Sequence, residues 1–335
     1  MITITVYAYK ETEPAKQTEK LIRSAAGDIP VRIIYIDLNS DKGMAEFLGN
    51  EAPMVQVGPY RLKSPLTERD LRVAIRAAHD RHEKLKEDPA YKERITRGRT
   101  ISKTDRLNQW LTKNYMVLFI LILVLYVGGS ILAPVLMKVG AEVPARVLYT
   151  IYKPFCHQLA FRSFFLYGEQ LYYPRELAGI EGVITYDELI ASGIISSSTN
   201  LVDARGFLGN DYVGYKIALC QRCLAIYAAM LLVSIIFAAT GNRIRPIAWY
   251  VWILVGMVPI GLDGGSQIPG ALGINLPEWM IIRESILVFR VVTGALFGVM
   301  TFWYLLPQVE DSMRESRVNL SKKFAYAEAE EDLEE

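Results

Sequence analysis

Cysteine is scarce in this chain of 335 residues: there are three, Cys156, Cys220 and Cys223, and none among the first 155 positions. Without a thiolate there is no thiol exchange, so the front of the chain is excluded from that chemistry. Histidine is as scarce, with only His79, His82 and His157. A charge excess is also missing. Lys and Arg number 37 against 36 Asp and Glu, a net charge of +1, so no global basic or acidic signal points to nucleic acid or to an acidic substrate. The opening "MITITVYAYKETEP" lacks the basic segment, apolar run and small-residue site of a signal peptide, and the first domain is expected to stay in the cytoplasm. No convincing internal repeat of the transporter kind is found.

Apolar residues are abundant, at 51%, and unevenly placed. Residues 1–113 are rich in charge, whereas 115–306 hold apolar runs that a soluble core could not cover. "YMVLFILILVLYVGGSILAPVLM", 115–137, carries no charge over more than the roughly 20 residues that a bilayer crossing needs. Further runs at 219–240, 246–262 and 286–306 bring the expectation to four spans, an all-α polytopic membrane domain over 114–308. Lys and Arg cluster before the first span (Arg97, Arg99, Lys103, Arg106, Lys113), between the second and third (Arg243, Arg245) and after the fourth (Arg314, Arg317, Lys322, Lys323). The positive-inside rule then puts both termini of a multi-pass cell-membrane protein in the cytoplasm, with 139–213 and 263–285 outside. Residues 86–113 read as a basic juxtamembrane linker resting on membrane lipid, with Trp110 near the interface. The acidic tail within 309–335, ending "EAEEDLEE", is expected to be disordered. An outer insertion, 169–213, contains "TYDELIASGI", a short helix capped by Thr185, and is long enough to form a lid.

In the front domain, "ITITVYAY" and "VRIIYIDL" are β-branched, aromatic strands, each followed by a helical pattern, Glu13–Ala26 and then 42–48. "PMVQVG", a turn at "GPY", "RLK" and an amphipathic helix over 67–83 complete an α/β order. Residues 1–85 resemble glutaredoxin-like domains of the thioredoxin fold, and Pro53 falls where that family carries a cis-proline. Where the family places its redox Cys-x-x-Cys, this chain has Thr12, Glu13, Pro14 and Ala15. The resemblance therefore implies a thiol-free docking domain for a cytoplasmic protein partner of unknown identity. His79 and His82 read as part of a solvated helix face.

Every cysteine and the one histidine beyond the front domain fall in "FCHQLAFRSFF" (155–165) and "LCQRC" (219–223). Cys156, His157, Cys220 and Cys223 match a Cys₃His zinc site, since thiolate and imidazole donors suit that ion. Neighbouring side chains diverge on a strand or helix, so Cys156 and His157 require an irregular segment to converge. Four protein ligands point to a structural metal; a catalytic zinc keeps a position open. The alternative is a disulfide, which an outer location permits. A Cys-x-x-Cys in a four-helix membrane protein resembles the quinone-coupled thiol oxidoreductases related to vitamin K epoxide reductase, although those relay electrons through a second cysteine pair.

Polar residues gather at the same outer level. Arg290 lies about one turn inside the fourth span, where an ionisable side chain takes a partner; Asp263 in "IPIGLDGGSQIPG" is the expected one and Glu284 the second choice. Gln158, Arg162, Arg222 and Gln267 complete a cationic pocket suited to an anionic or lipid-linked ligand, with Asp263 or Glu284 as candidate catalytic bases. Gly294 and Gly298 have the four-residue spacing of close helix contact. "FCHQLAFRSFFLYG", "GNDYVGYKIALCQRCLAIY", "IPIGLDGGSQ" and "ILVFRVVTGALFG" together resemble the bacterial membrane-protein family known as domain of unknown function 2085, over about 145–306. That likeness groups these residues without assigning a reaction. A metal-dependent membrane enzyme, a transporter or receptor, and a thiol oxidoreductase all remain open, as does the oligomeric state.

Overall fold

The computed structural model describes residues 1–9, 12–39, 52–267 and 284–334. The helix expected over 42–48 lies outside them. Two compact units form, Met1–Tyr115 with Glu310–Glu335, and Met116–Val309.

In the first unit, β1 (Ile2–Ala8), α1 (Glu13–Ala26) and β2 (Val31–Asp37) make a parallel strand-helix-strand crossover, and β3 (Met54–Val57) and β4 (Tyr60–Leu62) add antiparallel strands in the order β2-β1-β3-β4. Ile4, Val6, Val55 and Val57 bury their side chains under Ile22 of α1 and Leu71 and Ile75 of α2 (Glu68–Leu85). Thr67 caps α2, its hydroxyl accepting from the Asp70 amide at 3.1 Å. The Ala52–Pro53 peptide is cis.

The stretch read as a linker is mostly helical: α3 (Pro89–Arg99) is capped by Asp88, and α4 (Lys103–Lys138) begins soon after. The acidic tail expected to be disordered instead continues α10 (Leu287–Glu334). Its Ala and Glu content favours helix, and packing anchors it. Glu310 accepts from Tyr115 and, at 2.7 Å each, from Arg314 and Arg317, while Lys323 reaches Asp105 at 2.6 Å.

The second unit contains the apolar helices. Among the described residues, three helices are long and apolar enough to cross a membrane: α4, α8 (Gln221–Ala239) and the apolar part of α10. The third expected span is the shorter apolar α9 (Trp249–Gly265), which at 1.5 Å per residue covers about 26 Å of a core roughly 30 Å thick. Large apolar side chains point outward along these helices, Leu125 being 64% and Leu262 69% exposed, as lipid-facing surfaces do.

Helix α10 lies directly against α8 at the two glycines. A Cβ on Gly294 would stand 2.7 Å from the Arg222 carbonyl oxygen, and one on Gly298 would collide with that of Ile226. Gly298→Val is therefore expected to lower stability by about 1–3 kcal/mol through overpacking, seen as a fall in melting temperature in detergent. Gly128→Ala, on an open face of α4, should leave it unchanged.

Outside the long helices, α5 (Glu142–Tyr152) leads into the Cys156 segment, and β5 (Ser163–Leu166), β6 (Gly209–Asn210) and β7 (Gly214–Cys220) form an antiparallel sheet in the order β5-β7-β6. The expected insertion packs on this sheet. Phe161, Phe165, Tyr173, Tyr186, Leu189 and Val213 form its core, and α6 (Tyr186–Ala191) carries a full capping box between Thr185 and Glu188. A second short helix, α7 (Leu201–Gly206), follows.

Candidate functional site

Strand β7 ends at Cys220, which is also the N-cap of α8. Cys223 is then the third residue of the helix, and N-cap and N3 side chains approach each other at a helix start, as in a capping box. That is the local reason for the Cys-x-x-Cys spacing. Cys156 arrives from the turn after α5, held by the pairing of Ser163 with Cys220. All three Sγ atoms lie within 4.8 Å of one another, and all three cysteines are free. The Cys156 sulfur accepts from the Cys220 amide at 3.2 Å and the Gln158 amide at 3.5 Å. Cys220 stands at the N-terminus of α8, where the unpaired backbone N–H groups favour a thiolate.

His157, expected as the fourth ligand, lies outside this group and is exposed. The backbone turns Cys156 inward, so the adjacent side chain points away. Gln158 follows with φ of 53°, a left-handed conformation that is uncommon without glycine. It is fully buried; its amide donates to the Tyr149 carbonyl at 2.9 Å, and its Oε1 has no hydrogen-bond partner among the described residues.

Beside the sulfurs lie two ion-pair groups. Glu284 accepts from Arg162 at 2.7 Å and from Arg290, which also reaches the Phe161 carbonyl and Gln221 Oε1, each at 3.4 Å. Asp263 accepts from Arg222 and, at 2.9 Å, from the Ser285 hydroxyl, and its carbonyl takes the Gln267 amide at 2.6 Å. The partners thus differ from the expectation: Arg290 takes Glu284, and Asp263 goes to Arg222. Arg222, one residue before Cys223, projects towards α9, while Glu284 is only six positions before Arg290. Both candidate bases are engaged by guanidinium groups, and among the described residues three arginines face two carboxylates here.

With this geometry in view, the match to a protein family falls on the same segment. Residues 211–304 match the model of a predicted membrane protein family, DUF2085. The chain is a multi-pass membrane protein. The matched stretch holds Cys220, Arg222, Cys223, Asp263, Glu284 and Arg290, and Cys156, His157 and Arg162 precede it. An uncharacterised protein of Methanocaldococcus jannaschii is 23% identical over 205 residues, 59% of this chain and 93% of its own length. No solved structure matches.

Two supporting residues in this membrane protein went unnoticed in the sequence. Lys216 of β7 is fully buried and donates at 2.7 Å to the carbonyls of both Gln158 and Arg205. Arg205 in turn donates to the carbonyls of Lys153 and Cys156. Burial is the main cause that brings the Lys216 ammonium down from 10.5 to about 7, and a neutral amine has just the two N–H donors that two carbonyls require. Between those values the folded chain binds one proton fewer than the unfolded chain. This lysine therefore makes stability rise with pH from about 7 to about 10.5, by at most about 1.4 kcal/mol per pH unit, and contributes no slope below that window. Lys216→Met should flatten the rise, which melting temperatures in detergent taken across the window would register.

Proposed function

We propose that this membrane protein holds a zinc ion on Cys156, Cys220 and Cys223 at the outer leaflet, with a fourth position open, beside a pocket for an anionic or lipid-linked substrate. The observation that carries the proposal is the convergence of three free sulfurs within 4.8 Å. Zinc bonded to three sulfurs at about 2.3 Å holds them about 3.8 Å apart, inside that limit. With His157 turned away, three protein ligands suit a metal that binds water or substrate rather than a closed structural site. Zinc bound there supplies Lewis acidity and an activated water. Arg162, Arg222 and Arg290 supply cationic hydrogen-bond donors, with Glu284 and Asp263 orienting them and Gln158 and Gln267 lining the same region. On this reading α9 completes four spans, both termini lie in the cytoplasm, and residues 1–85 are a glutaredoxin-like docking domain, a view to which the β2-β1-β3-β4 sheet with its parallel β1-β2 pair lends support.

The free Cys220-x-x-Cys223 pair at a helix start also favours a second reading, thiol-disulfide exchange coupled to a quinone. Cobalt loading separates the two. The zinc reading expects intense thiolate-to-cobalt absorption and visible bands that shift when phosphate is added. Failure to take up cobalt, with one free thiol per denatured chain, would replace it with the redox reading.

A further inference from the structure

The first unit has a half-open cavity of about 630 Å³ between the sheet edge, α2, α3 and the end of α10. That volume lies within the roughly 300–1,000 Å³ of small-molecule sites. Its lining has a one-sided charge. Arg81 of α2, Arg94 of α3 and Lys322 of α10 border it, and no Asp or Glu does among the described residues. Lys323, also on the wall, is committed to Asp105 at 2.6 Å, whereas Arg81, Arg94 and Lys322 are in no salt bridge among the described residues. Three unneutralised cations around one concavity repel each other and favour an anion between them.

Aromatic rings stand beside the cations, and each is fixed. His82 Nδ1 lies 3.2 Å from the Tyr91 hydroxyl with ring centroids 5.9 Å apart. The Tyr326 hydroxyl is 2.6 Å from Thr5 Oγ1, and Lys322 Nζ sits 5.5 Å from the Tyr326 ring centroid. Guanidinium groups match phosphate oxygens in a bidentate way, and preset aromatic faces stack on a planar base. Phosphate alone would use the cations and leave the rings idle.

We propose that this cavity binds a nucleoside phosphate, its phosphates among Arg81, Arg94 and Lys322 and its base against the rings of Tyr91 and Tyr326. The site is separate from the cysteine cluster and stands whether or not that cluster binds metal. Phosphate esters also occur as lipid headgroups, so the test compares sources. Binding to the purified full chain in detergent is measured with ADP, inorganic pyrophosphate and short-chain phosphatidylglycerol. The expected result is saturable ADP binding, one per chain, weakened about tenfold or more by Arg94→Gln and by Lys322→Gln. Arg97→Gln, on the same helix but outside the cavity, should change nothing. Tyr91→Leu should weaken ADP and spare pyrophosphate. Absence of saturable ADP binding at millimolar concentration, or equal loss in Arg97→Gln, would overturn the proposal. Pyrophosphate binding as tightly as ADP would remove the nucleoside, and phosphatidylglycerol binding more tightly than ADP would assign the cavity to lipid.

Discussion

Cys220→Ser is expected to lower the zinc content of the purified protein from the one ion per chain of the proposed site to none. Of the three sulfurs, Cys220 is the one at the N-cap of α8, where the helix N-terminus favours a thiolate. Serine has similar volume, which keeps the β7-α8 junction packed, but its hydroxyl is a poor ligand for a borderline-soft ion. Cys156→Ser and Cys223→Ser should behave alike. His157→Ala should retain the full zinc content, and this contrast tests the three-sulfur geometry against the four-ligand site that the sequence suggested. Elemental analysis beside thiol counting under denaturing, non-reducing conditions decides it. Zinc retained in Cys220→Ser, or lost in His157→Ala, would refute the ligand set.

Glu284→Ala should be the most destabilising single change at the ion pairs, by about 3–5 kcal/mol. Its carboxylate is 6% exposed and serves Arg290, which is 5% exposed, together with the more accessible Arg162. Among the described residues, removing it leaves a buried guanidinium with only the 3.4 Å contacts to Phe161 and Gln221. Unfolding in detergent measures the loss. Arg290→Ala in the same background should recover part of it, because the stranded charge goes too, and a double-mutant cycle reads the coupling. Strict additivity of the two changes would mean that the pair is not coupled.

The sequence disclosed what depends on local pattern. The β-α-β start of the chain, the Thr185 cap, the glycine pair on α10 and the gathering of all cysteines at one place could be read from periodicity and spacing. What it missed depends on three-dimensional choice. Nothing in one dimension tells whether Asp263 or Glu284 faces Arg290, since both are carboxylates at similar depth. Adjacent Cys156 and His157 looked like joint ligands, but backbone alternation lets only one of them turn inward. Lys216 went unnoticed, because its partners are main-chain carbonyls that carry no sequence signature. Composition also misled at the acidic tail, where anchoring by Glu310 and Lys323 favours helix over coil.

Arg205 and Lys216 have a consequence for how such a chain can change length. Insertions between a strand and its partner are commonly trimmed or replaced in evolution without harm to the framework, because they hang from it by their ends. Here the insertion returns a guanidinium to the carbonyls of Lys153 and Cys156 and offers a carbonyl to Lys216. A deletion that removed α7 would unseat the cysteine turn while leaving every sulfur in the sequence. Shortened descendants of this chain would therefore have to brace that turn anew, and the segment is part of the site's scaffold rather than an ornament on it.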